Sequence, residues 1–165
     1  MAELTRRHVV GGMAAAAAAT LTPTVAQQPV PAKPHRIDVH HHFSPPQWIA
    51  AVKGRELLQR ANREWTPARS IEDMDKAGVA AAVVSVTNPG LWFGDKEATR
   101  LIARGCNEYG AKLAQDHPAR FGLFAAMPLP DIEATLREIE YAYDTLKADG
   151  IHLFTSYGDT WLGNE

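Results

Sequence analysis

The chain has 165 residues, 45% hydrophobic and 22% charged, with a formal net charge of −2, a balance that fits a folded soluble domain and excludes a disordered polyelectrolyte or a basic nucleic-acid binder. It contains no run of 18 or more apolar residues, so no membrane span is expected. Its single cysteine, Cys106, can form neither an internal disulfide nor a thiolate metal cluster.

Residues 1–26 differ from the rest. Arg6 and Arg7 precede a mildly apolar Gly/Ala-rich run, including Ala14 to Ala19, that closes on Thr24-Val25-Ala26. These are the charged region, apolar core and small-residue cleavage site of an export signal. The paired arginines favour the twin-arginine route and therefore a periplasmic location; an alanine-rich terminal helix on a cytoplasmic protein is the alternative. Residues 27–35 are proline-rich and read as a linker to a domain covering 36–165.

Within that domain, strand and helix patterns alternate. Arg36 to Phe43 reads as a strand, and Trp48, Ile49, Val52, Leu57 and Leu58 carry helical spacing across 46–63. Ser70-Ile71-Glu72-Asp73 resembles a capping box that opens a short helix ended by Gly78. Val79 to Thr87 is apolar on both parities, as in a parallel strand covered on both faces. Asp95 is placed to cap a long helix with Ala98, Leu101, Ile102, Cys106, Tyr109 and Leu113 on its inner stripe. The cycle then repeats. Phe121 to Leu129 reads as a strand, and Asp131 caps a helix with Ile132, Leu136, Ile139, Tyr143 and Leu146 on one side. Gly150 ends that helix ahead of a strand from Ile151 to Tyr157. Such alternation predicts an α/β fold of parallel β-α-β units with right-handed crossovers.

The first strand ends in His40-His41-His42. Side chains alternate along a strand, so His40 and His42 share one face and His41 takes the other. Two imidazoles at i and i+2 near a strand's C-terminal end can converge on one divalent ion. By the same alternation Asp38 falls on their face one pleat deeper, as a partner that fixes a histidine tautomer. His41 is expected on the outer face, hydrogen-bonded to backbone or a helix. Spacing alone fits a polar strand end equally well.

The blocks "IDVHHHFSPPQW", "SIEDMDKAGVAAAVVSV", "NPGLWFGDKEATRLIARGCNEYGAKLAQDHPARFGLFAAMPLPD" and "GIHLFTSYGDTWLG" resemble, in order, the N-terminal segments of the amidohydrolase-related family. This family lies within the metal-dependent amidohydrolase superfamily. The branch resembled is that of aminocarboxymuconate-semialdehyde and 6-methylsalicylate decarboxylases, and the likeness spans residues 36–163. It implies a (β/α)8 TIM barrel of which this chain carries the N-terminal half, about four βα units. It also implies one divalent metal, usually zinc, with His40 and His42 as ligands and the remaining ligands and proton donors beyond Glu165. No lysine stands on the fourth strand, which agrees with a one-metal site, and His152, read near the start of that strand, is assigned to the core.

The implied activity is non-oxidative decarboxylation of a small aromatic or enol carboxylate. Metal-dependent hydrolysis of a lactone or amide is the alternative, and an inactive fragment is a third reading. Half a barrel leaves two open sheet edges, so the chain is expected to be incomplete or to pair as a homodimer. Substrate-pocket candidates on the loops after the strands are Phe43, Asn88, Trp92 and Ser156. Glu133, Arg137, Glu138 and Glu140 read as a solvated helix face.

Overall fold

A computed structural model describes residues 35–55 and 60–164. The expected export signal, most of the linker, Leu57, Leu58 and Glu165 lie outside the described residues. Four strands, β1 (Arg36–Phe43), β2 (Val79–Val86), β3 (Phe121–Ala126) and β4 (Gly150–His152), form one sheet in that spatial order. Every neighbouring pair is parallel. The crossovers carry α1 (Pro46–Val52), α2 (Arg60–Arg63) and α3 (Pro67–Ala77), then α4 (Lys96–Asp116), then α5 (Ile132–Asp144). A small antiparallel hairpin, β5 (Ser156–Tyr157) with β6 (Thr160–Trp161), follows β4. Chain order equals spatial order, as in consecutive βα units of a barrel. No helix among the described residues is long and apolar enough to cross a membrane.

The core lies between the sheet and its helices. Ala82, Val84 and Val86 of β2 are fully buried, and they meet Phe121, Leu123 and Ala125 of β3 with Ala103, Cys106 and Leu113 of α4. Removing such apolar area from water contributes about 25 cal/mol per Å2 and fixes the register of each strand. The opposite face carries His42, Val83, Gly122 and Phe124, and all of these are partly or fully exposed.

Helix ends follow local chemistry. Asp95 and Asp131 cap α4 and α5 as expected, accepting from the Ala98 and Ala134 amides at 3.0 Å each. The start of α3 differs from expectation. Its cap is Thr66, whose hydroxyl accepts from the Arg69 amide, and Pro67 opens the helix with its φ already suited to that position. Ser70 therefore lies inside the helix and its side chain is free for another task. Gly78 ends α3 in the left-handed conformation, as read. The single helix expected over 46–63 is interrupted, because the chain leaves α1 at Lys53 and turns through Gly54 at φ +83 before α2.

Two helix faces also differ. On α4 the buried stripe is Thr99, Ala103, Cys106, Gly110 and Leu113, while Ala98 and Leu101 face outward. The sheet approaches closely enough that a Cβ on Gly110 would stand 2.6 Å from Leu123 Cδ1, so small residues, not large ones, mark the contact. On α5 the apolar side read as core is exposed at Ile132, Leu136 and Tyr143, and Ala134, Glu138 and Ala142 are buried instead. Glu138 is thus no solvated residue. It pairs with Arg104 at 2.9 Å and accepts from Asn107 Nδ2 at 2.9 Å.

Candidate metal centre

The geometry of the histidines starts from an irregularity in β1. Asp38 pairs with Ala82 and His41 with Val84, so three steps on β1 face two on β2. One extra residue breaks the alternation, and the local bond from the His40 amide to Asp38 Oδ1 at 3.0 Å holds the kink. Asp38 consequently shares a face with His41, not with His40 and His42. The expectation that Asp38 supports the metal histidines directly is corrected on this point.

On the open face, His40 Nε2 and His42 Nε2 lie 3.2 Å apart with their rings edge to face. Two imidazole nitrogens on one tetrahedral ion, each about 2.0–2.1 Å from it, stand about 3.3 Å apart. The pair fits that separation. His42 Nδ1 lies 3.4 Å from the Ser85 carbonyl, which assigns the proton to Nδ1 and leaves Nε2 as the donor atom. Burial holds His42 below the ordinary histidine range, with the His40 and His41 charges adding to the effect and the Ser85 carbonyl opposing it. His42 is therefore neutral at pH 7, as ligation requires. Among the described residues, no group of three or more His, Cys, Asp or Glu side chains could hold an ion, so the pair is a partial ligand set.

On the other face, Asp38 Oδ2 accepts from His41 Nδ1 at 3.1 Å, and His41 Nε2 lies 2.6 Å from Ser70 Oγ, which donates to it. Burial alone would raise the Asp38 carboxyl, but the His40 amide and the His41 ring outweigh it and hold the group below the ordinary aspartate value. This relay ties β1 to α3. His41 takes the outward, helix-bonded role expected of it, and Asp38 holds the strand beside the His40–His42 pair through the His40 amide.

The other candidates scatter. Phe43 ends β1 fully buried against Trp65 and Tyr109, so it is a core residue and its assignment to a substrate pocket is corrected. Asn88 lies exposed on the loop after β2. Trp92, on the same loop, is half-buried, and its indole packs on Gly158, where a Cβ would come within 2.9 Å of Nε1. Ser156 is half-buried in the hairpin and pairs with Trp161. Cys106 is not a ligand or nucleophile, because burial pushes its thiol up to about 12.

The assignment of His152 to the core, near the start of its strand, is corrected. β4 is only three residues long and His152 is its last, so the ring sits at the C-terminal end of the strand and not near its start. Its register partner is Ala126, on the face shared with His42. Burial lowers His152 below the ordinary histidine range, and charges on His42 and His40 lower it further, which places all three imidazoles within electrostatic reach. Its signal in the sequence was the position of the strand end, which apolar patterning from Ile151 to Tyr157 obscured.

With this geometry in view, the amidohydrolase family model matches residues 37–165. The chain belongs to the amidohydrolase family. Among curated relatives, the decarboxylase yanB of Aspergillus niger is 42% identical over 79% of this chain and 38% of its own length. The 6-methylsalicylic acid decarboxylase of Penicillium expansum is 39% identical over 78% of this chain and 42% of its own. A crystal structure of an amidohydrolase II superposes with TM-score 0.73 at 26% identity, covering 79% of this chain and 44% of that one. The manganese-bound dihydroxybenzoic acid decarboxylase of Polaromonas sp. JS666, at 24% identity and TM-score 0.60, shares the fold. This amidohydrolase-family chain thus spans about two-fifths of the length of the curated relatives it matches, 38% and 42% in the two named.

Proposed function

We propose that this chain contributes the first part of the metal centre of a non-oxidative decarboxylase acting on a small aromatic carboxylate of the 6-methylsalicylate kind. The observation that carries the reading is the convergence of His40 and His42 Nε2 at ligand-pair distance on the open face of the sheet. The relatives named as decarboxylases support it. A divalent ion held there would supply an electrophile for the carboxylate and ring-hydroxyl oxygens. Imidazole donors suit zinc, and the Polaromonas decarboxylase carries manganese.

The chain's own residues do the following. His40 and His42 present their Nε2 atoms to one another, Ser85 fixes the tautomer of His42, and the Asp38–His41–Ser70 relay holds the strand so that both rings keep their aim. Phe154 and His152 pack edge to face at the C-terminal end of β4, the side of the strands where substrate meets such barrels. Loss of carbon dioxide requires a proton to reach the carbon that bore the carboxylate, and a site of this kind favours it by orienting the acid and excluding water.

Carbon dioxide released from 6-methylsalicylate, dependent on added Zn2+ or Mn2+ and stopped by a chelator, is the expected result for the protein carrying this chain. Opening of a lactone or amide without carbon dioxide release would replace this reading with hydrolysis. The proposal includes twin-arginine export, supported by Arg6-Arg7 and the alanine-rich run that follows. Cell fractionation is expected to find the protein in the periplasm, and an Arg6→Lys, Arg7→Lys variant in the cytoplasm.

A further inference from the structure

Three buried side-chain nitrogen or oxygen atoms among the described residues lack a hydrogen-bond partner: Trp65 Nε1, Thr135 Oγ1 and His152 Nδ1. Trp65 packs on Phe43 and Tyr109 on the helix side of the sheet, and Thr135 lies within α5. Of the three, His152 alone lies at a strand's C-terminal end on the sheet face that carries His42. The sealed Nδ1 can meet no other molecule, so contact with a ligand falls to the ring's other nitrogen, Nε2.

The surroundings of His152 are built. Across the ladder, Ala126 is pinned by Asn107, which donates from Nδ2 to its carbonyl at 2.9 Å and accepts its amide at Oδ1 at 2.7 Å. Asn107 is held in turn by the buried Glu138 carboxylate. On its other side the His152 ring meets Phe154 edge to face at 4.6 Å between centroids. Phe154 covers Gly90, where a Cβ would stand 3.0 Å from its ring, and Gly90 has φ +78, a conformation that suits glycine. Loops after β2 and after β4 thus close on one another around this ring. The described residues provide no third side chain able to share an ion with His40 and His42, so His152 forms no ligand group with the pair.

We propose that His152 is a substrate-recognition residue, its imidazole hydrogen-bonding an oxygen of an aromatic hydroxy acid whose ring lies against Phe154. The inference rests on the decarboxylase reading of the same site and names the contact that selects an aromatic acid. An imidazole offers an oxygen either a donor or an acceptor, and the Phe154 ring offers the adjoining apolar body a surface. A bound ion at His40 and His42 would leave the acid's remaining oxygen for His152.

The test uses the full chain with saturating Mn2+ and salicylate as the probe, measured by calorimetry. His152→Phe keeps a ring against Phe154 and removes the nitrogens, whereas His152→Gln keeps hydrogen-bonding atoms and loses the ring. Mn2+ affinity is expected to stay within about twofold in both, while salicylate binding weakens about tenfold or more in His152→Phe and much less in His152→Gln. Salicylate affinity unchanged in His152→Phe overturns the proposal, and so does loss of Mn2+ with either variant, which would make His152 a ligand. A wild-type chain that binds Mn2+ but no salicylate overturns the aromatic-acid reading together with the role of His152. In the unaltered chain, 15N-labelled histidine gives an independent reading. The His152 ring nitrogens are expected to shift on salicylate addition, and nitrogens that do not move overturn the contact.

Discussion

Three adjacent imidazoles divide between two faces because side chains alternate along β1, and one extra residue there carries Asp38 to the face of His41. The H-x-H pattern was legible, since its convergence needs only local alternation, and the two Nε2 atoms do meet at 3.2 Å. The place of Asp38 was not legible, because strict alternation ignores a bulge that depends on the pairing with β2. Ser70 was likewise hidden by a capping motif that the chain does not use. Its hydroxyl is 5% exposed and bonds His41, so Ser70→Ala leaves a part-buried ring nitrogen unpaired and is expected to cost about 1–3 kcal/mol in chemical denaturation. A pH effect follows from His42 and His152, both held below the ordinary histidine range by burial. The unfolded chain binds their protons first as pH falls, so this contribution is full above the unfolded value near 6.5 and is lost as pH drops through the folded values. Thermal melts of the metal-free chain from pH 7.5 to 5 are expected to show a steeper loss for wild type than for His152→Gln. Parallel curves for the two proteins would count against it.

The elements show what periodicity captures and what it misses. Order and type of the four parallel strands and of the helices that connect them were readable from alternating periods, and the caps Asp95, Asp131 and Gly78 stand where sequence placed them. Helix faces were not, because the reading followed large apolar residues while the sheet selects small ones that allow close approach, such as Gly110 and Ala142. The consequence is testable on α5. Glu138→Ala strips the partner from Arg104 and Asn107 and is expected to cost about 2 kcal/mol, within the range for leaving buried polar groups unpaired. Leu136→Glu, on the exposed side, is expected to stay within about 0.5 kcal/mol. Urea midpoints of the two variants decide between the observed face and the one that apolar spacing suggested. The reverse order of effects would restore the latter.

At the scale of the molecule, the sheet begins and ends in strands that have only one neighbour each among the described residues. Ile37 and Val39 on β1, with Leu153 after β4 and Trp161 on the hairpin, are all about half exposed or more. In a closed barrel such edges pair with further strands. The chain alone is therefore expected to self-associate, which sedimentation would detect, and a charge on the edge, Val39→Lys, is expected to shift it toward monomer. The proposed metal centre begins at the mouth of the sheet, where β1 presents its two aligned imidazoles. Calorimetric titration with Zn2+ of the wild-type chain, of His41→Gln and of the His40→Ala, His42→Ala double variant addresses that directly. Wild type and His41→Gln should each take up about one ion per chain, and the double variant none at the same concentrations. Binding by the double variant equal to wild type would contradict a metal centre at His40 and His42.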